Sequence, residues 1–114
     1  LAKELNCEFV NFYSAMAYPG SPLYTQAIEK GLKLPNHWSG FSQHSFDCLP
    51  LSTNHLSSSE VLEFRDQAFL EYFPNPRYLG MVAQKFGYET HKHIELMTRH
   101  RLKREILEVM DDAE

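Results

Sequence analysis

Six histidines, two cysteines and a cluster of basic residues are the side chains whose types invite chemistry in this 114-residue chain. A zinc site needs ligands that converge, which on a helix means histidines four apart, or else closely spaced cysteine pairs. His91 and His93 are two apart and point in different directions on a helix; His93 and His100, seven apart, can share a face. Cys7 and Cys48 lie far from both in sequence. A solvated helix face accounts for these histidines better than a metal centre does. His44, Asp47 and Cys48 offer a base, an acid and a nucleophile in one short stretch, but catalytic partners normally converge from separate segments. Small apolar packing is the better role for Cys48, and equally for Cys7. Lys92, Arg99, Arg101, Lys103 and Arg104 form the basic cluster, followed by acidic Asp111, Asp112 and Glu114. With a net charge of −4, the chain is not expected to bind nucleic acid. The cluster reads as a solvated face, or as one docked on an acidic neighbour.

The turn Tyr18-Pro19-Gly20-Ser21 is a different kind of candidate, because it follows an apolar segment and opens a helix. In α/β barrels the loops after the strands build the active site, and backbone N–H groups at a helix start can hold a carboxylate or phosphate. From position alone, a plain connector with good turn chemistry is the simpler account.

Hydrophobic residues make up 43% of the chain and charged residues 23%. That composition is folded rather than disordered, and the length allows one small domain. Eight Phe and six Tyr imply dense packing, or a surface that expects more protein against it. Two cysteines are too few for a secreted disulfide scaffold, so a cytoplasmic location is expected. No run has the length of a membrane span, and no basic-then-apolar leader opens the chain. The residues Leu1 to Leu5 read as part of a helix entered midway, the pattern expected of a piece of a longer protein.

The element that would position these residues is Glu8 to Tyr13 (EFVNFY), short, aromatic and β-branched, which predicts a strand over about 8–13. Period two puts Val10 and Phe12 on one face and Phe9, Asn11 and Tyr13 on the other. No second strand follows, so its hydrogen-bonding partners are expected in upstream sequence or in a second copy of the chain. Ser21 as cap and Pro22 at the first helical position predict a helix ending at Gly31. Residues 32–56 show no steady period and carry Trp38, Phe41 and Phe46, which predicts an ordered loop or strap. Three helices are expected beyond it. The first runs from about Ser58 to Phe73 behind the capping box Ser57–Glu60, with Val61, Leu62, Phe64, Ala68 and Phe69 on its apolar face. The second starts at Pro76 behind Asn75 and stops at Gly87, with Leu79, Val82 and Phe86 on its buried side. The third runs from about Thr90 to Val109, its stripe changing direction between Ile94–Met97 and Leu102–Ile106–Val109.

The run from Cys7 to Tyr24 (CEFVNFYSAMAYPGSPLY) resembles the last barrel strand and following turn of radical S-adenosylmethionine enzymes, most of all those with a cobalamin-binding domain. Trp38-Ser39-Gly40-Phe41-Ser42-Gln43-His44-Ser45-Phe46-Asp47 is similar to a block that follows the barrel in one subgroup. So are Phe64-Arg65-Asp66-Gln67-Ala68-Phe69, Tyr72-Phe73 and Asn75-Pro76-Arg77-Tyr78. The resemblance implies a mainly α piece whose one short strand closes a partial α/β barrel, divided as 1–31, 32–56 and 57–114. It implies that Asn11, Tyr13, Tyr18, Pro19, Gly20 and Ser21 line a cofactor or substrate cavity, and that Trp38, Gln43 and His44 cover its mouth. The family holds a [4Fe–4S] cluster on a CxxxCxxC loop, which Cys7 and Cys48 cannot supply. The cluster, S-adenosylmethionine and cobalamin would therefore belong to the upstream barrel and cobalamin domain, the expected partner of a fragment inactive alone. Self-association through 8–13 is the other expected contact. A self-sufficient helical interaction module is the alternative.

Overall fold

The computed structural model describes residues 1–112, with side chains as far as Glu108. Among them the regular elements are all helical: α1 (Ala2–Leu5), α2 (Pro22–Glu29), a 3₁₀ turn (Trp38–Phe41), α3 (Ser58–Tyr72), α4 (Pro76–Phe86), α5 (Tyr88–Thr98) and α6 (Glu105–Asp112). None of these helices is long and apolar enough to cross a membrane.

The strand expected over 8–13 does not form among the described residues, and the barrel edge it would have supplied goes with it. A strand exists by hydrogen-bonding a neighbour, and among the described residues no other segment pairs with this one. Side chains take carbonyls at its start instead: the Tyr78 hydroxyl donates to that of Glu8 at 2.8 Å, and the Tyr72 hydroxyl to that of Cys7 just before it. Val10 and Phe12 are half-buried, whereas Phe9, Asn11 and Tyr13 are exposed.

The chain divides into two compact units, one of residues 1–12 and 66–101, the other of 13–65 with 102 onward. The first is built on helix amphipathicity. Asn75 accepts the N–H of Arg77 at 3.0 Å, and Pro76 follows at a position where its missing N–H is harmless, which starts α4. Tyr72, Phe73, Tyr78, Leu79 and Val82 form the core, with Val10, Phe12, Phe69, Met81 and Ile94 against it. Each large side chain so buried contributes about 1.5–3 kcal/mol. α4 packs on α5 across Gly87, whose φ of 94° and ψ of 166° belong to a region open essentially to glycine alone. Phe86 stays exposed, contrary to its expected place on the buried side.

The second unit has a smaller apolar centre, Met16, Cys48 and Leu62, with Ile106 packed on it. The capping box at the start of α3 forms as expected, Ser57 and Glu60 bonding each other's backbone N–H. Leu62 is fully buried, yet Phe64, expected beside it, is 76% exposed. The single helix expected over 90–109 is broken into α5 and α6 by residues 99–104. The reason is polar. Arg104, 1% exposed, donates to the carbonyls of Gln43 (2.7 Å) and Ser45 (2.9 Å), and the Glu105 N–H donates to the Phe46 carbonyl at 2.8 Å. A continuous helix would have directed the Glu105 N–H to Arg101 instead. The change of stripe between Met97 and Leu102 marks this break; the side chain of Val109 lies outside the described residues.

Candidate functional site

The Tyr18–Ser21 turn is built from its own sequence. Ser21 caps α2 by accepting the Tyr24 N–H at 3.1 Å, while its hydroxyl donates back to the Tyr18 carbonyl at 2.7 Å and its own N–H reaches the same carbonyl at 3.1 Å. Pro19 and Gly20 fill the two central positions. The turn thereby fixes the Tyr18 backbone and leaves its ring half exposed.

That ring meets the 3₁₀ turn. Tyr18 and Phe41 lie 6.1 Å apart between centroids and Phe41 and Trp38 6.2 Å, both tilted, within the range of favourable aromatic pairs. Trp38 is 79% exposed. Two segments singled out separately in the sequence, the Pro-Gly turn and the aromatic block, thus share one surface of tilted, partly solvent-facing rings.

The 3₁₀ turn is held from behind. A Cβ at Gly40 would lie 2.4 Å from that of Pro35, so only glycine permits this approach, and the Gly40 carbonyl accepts the Leu49 N–H at 2.9 Å. The Ser39 hydroxyl donates to the Asp47 carboxylate at 2.6 Å. This bond holds Asp47 below its ordinary value; burial pulls the other way and is outweighed. Beneath these residues an open groove of about 550 Å³ runs past Lys33, Pro35, His37, Asp47, Ser59 and Glu105.

Gln43 and His44 do not face outward together. Gln43 is buried and grips Ser14 at both backbone groups, accepting its N–H (2.8 Å) and donating to its carbonyl (3.0 Å). Its side chain is committed to the backbone and positions the loop. His44 is exposed, with Nε2 3.2 Å from Arg65 Nη2; because a guanidinium only donates, Nε2 accepts in this contact. Asn11 and Tyr13 are exposed.

Comparison with protein-family models, with curated proteins and with solved structures found no match in any of the three.

Among the described residues no three His, Cys, Asp or Glu side chains converge as a metal site. Cys7 is exposed, and Cys48 is fully buried in one apolar cluster with Met16 and Leu62. His91 is half-buried beside Glu95 (3.3 Å) and the Tyr88 ring, while His93 and His100 are exposed. Of the basic cluster, Lys92, Arg99, Arg101 and Lys103 are exposed and Arg104 is turned inward. Arg104, read from sequence as part of a solvated face, is buried instead, and the hydrogen-bonding role of the Tyr72 and Tyr78 hydroxyls was not read at all. The available signal was a tyrosine on an apolar helix face, since a buried phenol must find a hydrogen-bond partner.

Proposed function

We propose that this chain works in the cytoplasm as the C-terminal part of a cobalamin-type radical S-adenosylmethionine Fe–S oxidoreductase, seated against the rest of its own polypeptide and inactive alone. The observation that supports this most is the aromatic surface of Tyr18, Phe41 and Trp38. It unites two of the sequence blocks that carry the resemblance, and it leaves the largest of the three rings in solvent, as a surface awaiting further protein or a bound cofactor would. The cluster, S-adenosylmethionine and cobalamin are held upstream in this proposal, and Tyr18 and Trp38 contribute to the cavity rim. In the full-length polypeptide, Tyr18→Ala and Trp38→Ala should each lower turnover by roughly tenfold or more through lost positioning, with cluster and cobalamin occupancy unchanged. Unchanged turnover removes the rim role, and an upstream reading frame without a three-cysteine loop removes the whole proposal.

The alternative, a self-sufficient helical interaction module, draws support from the two units' separate apolar centres. It requires a natural reading frame that starts near Leu1, which sequencing upstream decides.

A further inference from the structure

Residues 7–12 lie on the first unit as a peptide lies on its receptor. The Tyr72 and Tyr78 hydroxyls read two consecutive carbonyls, those of Cys7 and Glu8. Lys85 pairs with the Glu8 carboxylate. Val10 and Phe12 enter the apolar core, the Phe12 ring meeting the edge of Tyr72 at 5.8 Å. The recognised pattern is therefore acidic, aliphatic and aromatic at a spacing of two: Glu8, Val10, Phe12. Upstream, Lys3 pairs with Glu71, and Arg77 donates to the Lys3 carbonyl at 3.3 Å.

Immediately after Phe12 the chain leaves this unit, and residues 7–18 carry neither helix nor strand. No regular element continues across the junction to bind the segment to its own helices. We propose that residues 1–12 exchange between two copies of this chain, each seating its Glu8–Phe12 segment on the Tyr72, Tyr78 and Lys85 face of the other. A second copy is the fitting partner because it repeats contacts the chain already makes to itself, which makes exchange a low-cost route to a dimer. This inference does not depend on the enzymatic proposal.

The test uses the full chain with Glu8→Lys and Lys85→Glu made in separate preparations, one of them labelled with nitrogen-15. Both side chains are about half exposed, so each variant should keep native helical circular dichroism. Alone, each opposes like charges at position 8 against position 85. Mixed after joint unfolding and refolding, an exchanged dimer of the two variants has opposite charges at both sites. Native mass spectrometry should then find mixed dimers exceeding the two homodimers combined by roughly fivefold, given weak exposed pairs acting twice. Monomers alone, or mixed dimers merely equal to the homodimers combined, would overturn the exchange.

Discussion

In the unit of residues 1–12 and 66–101, the rings of Tyr72, Phe73 and Tyr78 lie within 5.3 Å of one another and share a core with Leu79 and Val82. In the unit of residues 13–65 with 102 onward, Met16, Cys48 and Leu62 form a smaller apolar cluster among the described residues, and a long loop is ordered by Gln43, Arg104, Ser39 and Ser45 acting on backbone or on Asp47. The difference teaches how order is obtained without regular elements. Helices satisfy their own backbone and need only an apolar face to bury. A loop must find partners for each buried backbone group, and here polar side chains supply them.

The sharpest way to break this comparison is Arg104→Ala. It should cost about 3 kcal/mol, because two charge-assisted hydrogen bonds are lost, the Gln43 carbonyl is left unpaired and that of Ser45 keeps only the Cys48 N–H. Hydrogen exchange should accelerate at Cys48 and Leu49 and stay near native at Val82; equal acceleration in both units would mean that the polar network also holds the helical one. Gln43→Ala comes next at about 2 kcal/mol, since the buried Ser14 N–H and carbonyl lose their shared partner. Denaturant unfolding measures it, and a loss under about 0.5 kcal/mol would show that water replaces the amide.

On the aromatic side, Gly87→Ala should cost about 1–3 kcal/mol through its backbone conformation alone. Alkaline titration bears on the same unit. Burial holds Tyr72 and Tyr78 above the ordinary phenol value of 10.0, so the folded unit keeps protons that the unfolded chain releases. Their contribution is full below 10.0 and is lost as pH rises past it through the folded values. Exchange should therefore quicken at Val82 above that pH in the native chain and do so less in Tyr72→Phe/Tyr78→Phe; identical profiles would remove these hydroxyls as the cause. The smallest effect belongs to Ser14→Ala. The Ser14 hydroxyl is buried and has no hydrogen-bond partner among the described residues, so its removal should leave stability within about 0.5 kcal/mol of native or raise it. A larger loss would reveal a bond to this hydroxyl.

The bounds of α2, α3 and α4 were legible in sequence because their signals are local. Ser21-Pro22, Ser57 with Glu60, Asn75-Pro76 and Gly87 punctuate the chain at caps and ends, and three-to-four periodicity marks what is buried between them. Residues 8–13 were misread for the converse reason. Alternation reports which side chains face a core, and Val10 and Phe12 do, but it does not report whether a ladder or a pair of tyrosine hydroxyls receives the backbone. The aromatic surface at the candidate site was legible as two separate segments; the contact between Tyr18 and Phe41 was not.

By itself the sequence determined where α2, α3 and α4 begin and which turn opens α2, since each depends on neighbours a few residues away. Only the tertiary structure decided that Arg104 turns inward and breaks a helix, that Gln43 clamps Ser14, and that the segment before Tyr13 lies on helices instead of beside a strand. Those outcomes join groups from 29 to 70 positions apart. Buried polar groups select whichever partner satisfies them, and that choice is made in space rather than along the chain.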